Sequence, residues 1–278
     1  MGYGHLGRLV IGAALTVTVA ACSTAPPAPA LMGTEIVLGT PLGTTFDAYI
    51  SGPEDAKQAV LLINEYWGFN RQLRQEADRY AAQGYRALAV DVFDGRASTN
   101  PETADLIVSQ IDQVAVDVDL KAAVDYLNAQ GRRVITLGWG YGGAQALRAA
   151  ELAPREVAAT VMYYGLPVTD ARTAKSNQPI DPAVLLKHPD FALDYNQLEA
   201  MRGPVLAIFA KGDPWISEQD VEDFTTAMRR ARAGLWLVRL DAKRGFYDPL
   251  SKGYSPAAAA AARRYTKQFL TKELGGTS

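Results

Sequence analysis

The chain predicts an α/β protein built on a mostly parallel, doubly wound sheet of about eight strands flanked by helices. Three observations carry this reading. Short, nearly uninterrupted apolar runs of strand length alternate with longer stretches whose apolar residues fall at helical spacing. Glycine or proline punctuates many of the junctions between them. The runs lack the polar–apolar alternation of a sheet with one wet face, as expected where helices cover both faces.

Taken in order, Glu35 to Leu38 and Thr44 to Ile50 read as two short strands around Gly39 and Gly43, an antiparallel start to the sheet. Gln58 to Asn64 is the first buried strand, uninterruptedly apolar from Ala59 to Ile63. From Asn70 the period changes: Leu73, Ala77, Tyr80 and Ala81 share a helical face, and Gly84 supplies the stop. Tyr85 to Val92 is a second buried strand. After a polar loop, Ile107, Ile111, Val114 and Val118 form an apolar stripe that Leu120, Val124 and Leu127 continue with a phase shift. This segment is one long helix or two joined ones.

Val134 to Leu137 is the next strand, and Tyr141 to Ala153 is a helix terminated by Pro154. Val157 to Tyr164 follows as a strand. Leu166 to Gly203, with prolines at 167, 179, 182 and 189, shows no clear period and reads as a long loop or small cap. Pro204 to Ala210 returns as a strand. Ser217 with Asp220 opens a helix whose Val221, Phe224, Met228 and Ala231 share a face. Leu235 to Leu240 is the last strand, and Ser255 with Pro256 opens an alanine-rich final helix carrying Tyr265 and Phe269.

The N-terminal end has a different character. Arg8, the apolar run Leu9 to Val19 and the small-residue stretch Val19-Ala-Ala-Cys22 are too short to span a bilayer and resemble a bacterial lipoprotein signal. That resemblance implies removal of residues 1–21, acylation of Cys22, and residence as an exported, membrane-anchored lipoprotein of the cell envelope. An ordinary secretory leader is the alternative. Residues 22–31, rich in proline and alanine, read as a tether, and residues 32–274 as a single domain. Cys22 is the only cysteine, so an intramolecular disulfide is unavailable and acylation would leave no free thiol. Removing the leader takes away Arg8 and no acid, leaving 27 basic residues against 30 acidic ones. Without a basic excess, nucleic acid is not an expected partner.

The chemistry concentrates in residues 134–143, VITLGWGYGG. Gly138, Gly140 and Gly143 match a dinucleotide-binding G-x-G-x-x-G, but that motif needs an acid about twenty positions later to hold the ribose. Ala158 to Tyr164 supplies none, and the turn follows several strand–helix units instead of opening the first. A nucleophile elbow explains more. Such a strand-to-helix turn needs small residues two before and two after its tip, and Gly138 and Gly142 provide them. The tip is then Gly140.

The wider motif order resembles the dienelactone hydrolases from about Val60 to Leu274. The resemblance rests on Asn64-Glu65-Tyr-Trp-Gly68, Asp-Arg-Tyr-Ala-Ala-Gln-Gly-Tyr85, Ala-Leu-Ala-Val-Asp91, Asp119 to Leu127, Gly138 to Gly143, Tyr-Tyr-Gly165, Gly212-Asp213 and Gly245-Phe246. It implies an α/β-hydrolase fold whose active members use a cysteine or serine, a histidine and an aspartate, with a glutamate that interacts with the nucleophile. Asp213 and Glu65 stand at two of these positions. The nucleophile position falls on Gly140 and the histidine position on Arg244. His5 leaves with the leader, and His188 lies in the proline-rich excursion.

Glycine has no attacking atom, and a guanidinium stays charged at any working pH, so hydrolysis by the family mechanism would be unavailable. The resemblance further implies that the backbone N–H groups of Tyr66 and Tyr141 form an oxyanion-type donor pair. Trp67, Tyr141, Trp215 and Phe246 are candidate walls of a pocket for a small carboxylate or carbonyl ligand. Arg244 either binds that ligand or simply pairs with Asp213. The leading expectation is a catalytically degenerate hydrolase that binds a small ligand or a partner. The alternative is an ester or lactone hydrolase rewired around Glu65 or Asp213, with Tyr141 or Ser251 as side chains that could reach the site; a dinucleotide-binding protein is weaker. Neither a cofactor nor a metal is called for.

Overall fold

The computed structural model describes residues 30–166 and 195–275, together with Met1. The expected leader, Cys22, most of the tether, His188 and most of the 166–203 excursion lie outside the described residues. Among the described residues there are eight strands: Thr34–Gly39 (β1), Thr45–Ser51 (β2), Gln58–Ile63 (β3), Arg86–Val90 (β4), Arg133–Trp139 (β5), Val157–Tyr163 (β6), Val205–Gly212 (β7) and Leu235–Lys243 (β8). They form one sheet in the order β1-β2-β4-β3-β5-β6-β7-β8. β2 is antiparallel to both β1 and β4, and all later neighbours are parallel. The antiparallel start and doubly wound body match the sequence expectation.

Strand periodicity divides the core. In β3, every residue is buried, and successive side chains point to opposite faces. Leu61 and Ile63 join a cluster with Leu120, Val124, Leu147 and Phe224, which belong to the helices Gln113–Asn128 (α3), Tyr141–Leu152 (α4) and Glu218–Arg230 (α6). Val60 and Leu62 join a second cluster with Leu73, Ala77, Phe269 and Leu270, from Arg71–Ala81 (α1) and Pro256–Leu274 (α7). A short helix, Tyr195–Ala200 (α5), precedes β7. From Leu31 onward, the described residues make up a single compact unit.

Helix boundaries follow their caps. Asn70 accepts from the Leu73 N–H and starts α1; Ser217 and Asp220 form a reciprocal capping box on α6; Ser255 accepts from the Ala258 N–H, with Pro256 at the first position of α7. The stripe beginning at Ile107 resolves into two helices. Pro101–Ser109 (α2) starts on Asn100, and α3 restarts on Asp112, whose side chain accepts from the Val114 N–H. The restart corrects the expected stripe: Val114 falls in the first turn of α3 and is 65% exposed. The phase shift at Leu120 lies inside α3, so it does not mark the break; the alternative of two joined helices holds, but the break falls at Asp112.

Candidate active site

The predicted site residues come from the carboxyl ends of parallel strands, where open α/β sheets place their ligand crevices. Glu65 follows β3, Gly140 follows β5, Asp213 follows β7 and Arg244 follows β8. Asn64 fixes the first of these ends. Fully buried, it accepts from the Val92 N–H at 2.9 Å through Oδ1 and donates to the Glu65 carbonyl at 3.1 Å through Nδ2, tying the turn after β3 to the end of β4.

At the β5–α4 junction Gly140 has φ +52° and ψ −117°, and its N–H donates to the Tyr163 carbonyl at 2.9 Å. The flanking glycines are required by close backbone approach. A Cβ on Gly142 would stand 2.4 Å from the Ile63 carbonyl oxygen, and one on Gly138 would stand 2.1 Å from the Gly142 carbonyl oxygen. The start of α4 is therefore pressed onto the end of β3, beside the turn that carries Tyr66. The Tyr141 N–H opens α4, where first-turn amides have no intrahelical acceptor.

At Gly140 the obstacle is a side chain. A Cβ there would lie 2.7 Å from Glu65 Oε1. The carboxyl group of Glu65 thus occupies the place into which a side chain at the elbow would project. Burial pushes its pKa up to about 7, helped by Asp248 and opposed by Arg244. A carboxyl near neutrality can serve as acid or base.

Arg244 is anchored. Its Nη1 donates to Asp213 Oδ2 and to the Tyr164 carbonyl, each at 3.1 Å, and its guanidinium lies 4.5 Å from the Trp215 ring centre. The Asp213 side chain is 1% exposed against 20% for Arg244. Asp213 Oδ1 also accepts from the Trp215 N–H at 2.9 Å. The carboxylate is therefore satisfied by a charged donor and a backbone amide, and the arginine is the solvent-facing partner.

The expected walls divide. Trp67 lines a small cavity of about 30 Å³ together with Glu65, Glu76, Trp139, Tyr164 and Asp248. Trp215 covers Arg244. Phe246, in contrast, is fully buried edge-on against Tyr164 at 5.1 Å and belongs to the core. The Tyr141 side chain packs against Phe93 at 5.1 Å in the cluster under α3 and α4, so only its backbone faces the turn. The Tyr66 hydroxyl lies 2.8 Å from both the Pro101 carbonyl oxygen and Asp105 Oδ1, which share its single proton. Ser251 Oγ accepts from the Gly253 N–H at 3.0 Å within its own turn.

Three participants were not singled out from the sequence. Asp248 is 3% exposed and raises the Glu65 pKa. Tyr164 adopts φ +37°, uncommon for a residue with a Cβ, and presents its carbonyl to Arg244. Trp139 immediately precedes the elbow tip. Among the described residues, the buried indole N–H of Trp139 and hydroxyl of Tyr164 have no hydrogen-bond partner, and both residues line the cavity beside Glu65. Their only sequence signal was adjacency, Trp139 to Gly140, Tyr164 to Gly165 and Asp248 to the Gly245-Phe246 motif.

Among the described residues, no group of histidine, cysteine, aspartate and glutamate side chains has metal-binding geometry, and no helix is long and apolar enough to cross a membrane.

The strand order, the crossover helices and the elbow between β5 and α4 define the α/β-hydrolase fold. The family model described as "Dienelactone hydrolase family" matches residues 46–274, and the chain belongs to that family. A "Putative carboxymethylenebutenolidase" of Saccharolobus solfataricus is 22% identical over 271 residues, spanning 83% of this chain and 95% of the relative. A relative with the same description from Salmonella typhi is 27% identical over 230 residues, covering 78% of this chain and 79% of its own. Among solved structures, a "Putative Dienelactone Hydrolase" from Klebsiella pneumoniae superposes with TM-score 0.68 at 21% identity, over 86% of this chain and 99% of that one. A thermophilic esterase from Thermogutta terrifontis superposes with TM-score 0.60 at 17% identity, over 88% and 93% of the two chains.

Proposed function

We propose that this family member is a degenerate hydrolase, in which the elbow and its surroundings hold a small carbonyl- or carboxyl-bearing ligand instead of forming an acyl-enzyme. One observation carries the reading. The elbow tip is a glycine, and the space its side chain would need is filled by the carboxyl group of Glu65. The second family position supports it, since Arg244 is held by Asp213 and cannot accept a proton from a nucleophile. Loss of nucleophile or base costs a triad enzyme on the order of a million-fold in turnover. What remains is a set of donors: the first-turn amide of Tyr141, the amide of Tyr66, and the remaining N–H groups of Arg244.

A second reading is favoured by one specific feature. Glu65, with its pKa raised to about 7, has the affinity of a general base at neutral pH and could direct a water at an ester or lactone carbonyl. The two readings separate in one experiment. Purified chain is assayed on activated esters and lactones beside Glu65→Gln and Asp213→Asn, and thermal shifts are recorded with small carboxylic acids. Absence of turnover, with carboxylate-induced stabilisation that disappears in Arg244→Ala, is the expected result. Turnover abolished by Glu65→Gln would replace the binding reading with the rewired hydrolase.

In keeping with the N-terminal pattern, the proposal includes anchorage to the cell envelope through an acylated Cys22. Palmitate labelling of the expressed chain, lost in Cys22→Ser, tests it.

A further inference from the structure

A second cavity, of about 220 Å³, lies between α1 and α7 and shares only Tyr247 with the lining of the cavity beside Glu65. Arg79, Arg263, Arg264 and Lys267 line it, and no carboxylate does. Its floor is the buried Tyr80, Tyr85, Tyr247 and Leu270. In a chain with formal net charge −2, such a concentration of cations is a local feature and not a reflection of composition.

Two of the cations are pre-oriented. Arg79 Nη1 donates to the Tyr247 hydroxyl at 3.3 Å, while its Nη2 meets Glu76 Oε1 at 3.1 Å. Tyr247 in turn donates to Glu76 Oε2 at 3.0 Å. The Arg263 guanidinium lies 5.1 Å from the Tyr247 ring centre. Glu76 therefore compensates one positive charge from behind the wall. Arg264 and Lys267 are exposed and, among the described residues, form no ion pair.

We propose that this cavity binds a phosphate group carried on a small organic body. The excess of cations over the single Glu76 carboxylate suits a phosphate group, whether a dianionic monoester or a monoanionic diester. Arginine forks match tetrahedral oxyanions through paired N–H donors, and the tyrosine and leucine floor suits an attached apolar or hydroxylated fragment. The volume is below the ~300–1,000 Å³ of pockets for drug-sized ligands, which limits the occupant to a small molecule or the exposed portion of a larger one. A soluble phosphate ester and the headgroup of an anionic phospholipid share this chemistry.

Calorimetric titration of the full chain at low salt tests the assignment, using inorganic phosphate, glycerol 3-phosphate and dihexanoyl phosphatidylglycerol as probes. Saturable binding, weakened roughly tenfold or more in the Arg264→Gln/Lys267→Gln double variant, is expected. Both side chains are exposed, so an unchanged thermal midpoint of the variant serves as the folding control. Binding of the soluble phosphates assigns the site to a free ester, and binding of phosphatidylglycerol alone assigns it to a lipid headgroup. Absence of saturable binding by all three probes, or equal binding by the double variant, overturns the proposal.

Discussion

Arg244 Nη1 lies 3.1 Å from Asp213 Oδ2, and the two partners are unequally exposed, 20% for the arginine side chain and 1% for the aspartate. Removing the arginine strands a buried carboxylate, whereas neutralising the aspartate leaves a guanidinium that water can reach. Arg244→Ala is expected to lower the free energy of unfolding by about 3 kcal/mol, and Asp213→Asn by about 1 kcal/mol. Urea unfolding at pH 7 measures both. Equal losses would show that the pair is solvated from both sides.

Gly140 and Glu65 share one space. Gly140→Ala places a Cβ 2.7 Å from Glu65 Oε1 at φ +52°. The backbone strain and the displaced carboxyl together should cost roughly 1–3 kcal/mol. Since Oε1 ends a flexible side chain, Glu65→Ala should relieve the steric part. In a double-mutant cycle the two changes are expected to cost less together than the sum of each alone. Strict additivity would show that φ alone sets the penalty at position 140.

The raised pKa of Glu65 makes stability depend on pH with a definite sign. A carboxyl that titrates at about 7 when folded and at 4.5 when unfolded holds its proton more tightly in the native state. Its contribution is most favourable below the unfolded pKa and is lost as pH rises toward the folded one. Glu65→Gln removes this dependence. Between about pH 4.5 and 7, the stability of the variant relative to the parent should rise by on the order of 2 to 3 kcal/mol. A difference that stays flat across this interval would mean that Glu65 is ionised in the folded protein.

Two glycines provide a contrast in what surrounds them. A Cβ on Gly142 meets the Ile63 carbonyl oxygen at 2.4 Å and the Asn64 carbonyl oxygen at 2.7 Å, both backbone atoms that cannot rotate away. A Cβ on Gly39 meets nothing within 4 Å. Gly142→Ala should therefore cost more than about 3 kcal/mol or prevent folding, while Gly39→Ala changes stability by about 0.5 kcal/mol or less. Thermal unfolding of the two variants decides it.

Much of the architecture was legible because its signals are local. The continuous apolar run at Ala59 to Ile63 reports a strand covered on both faces, and caps at Asn70, Ser217 and Ser255 place helix starts. The break between α2 and α3 was foreseen only as the alternative of two joined helices; its place was not legible, because the stripe Ile107 to Val118 runs across the cap at Asp112, which restarts a helix without a change in composition. Phe246 and Tyr141 were misplaced for a related reason. An aromatic beside a motif can point to either side of the backbone, and sequence spacing does not say which.

The sequence by itself determined the alternation of strands and helices, the glycine demand around the elbow, and the presence of a glycine at its tip. Those are properties of residue types at short spacing. Only the tertiary structure decided that Glu65 fills the space over Gly140, that Arg244 is held by Asp213 and Tyr164, and that Asp248 and Trp139 border the same cavity. Each of those relationships joins residues tens to more than a hundred positions apart. Their geometry depends on strand order and on close packing at the strand ends, and no local pattern encodes either.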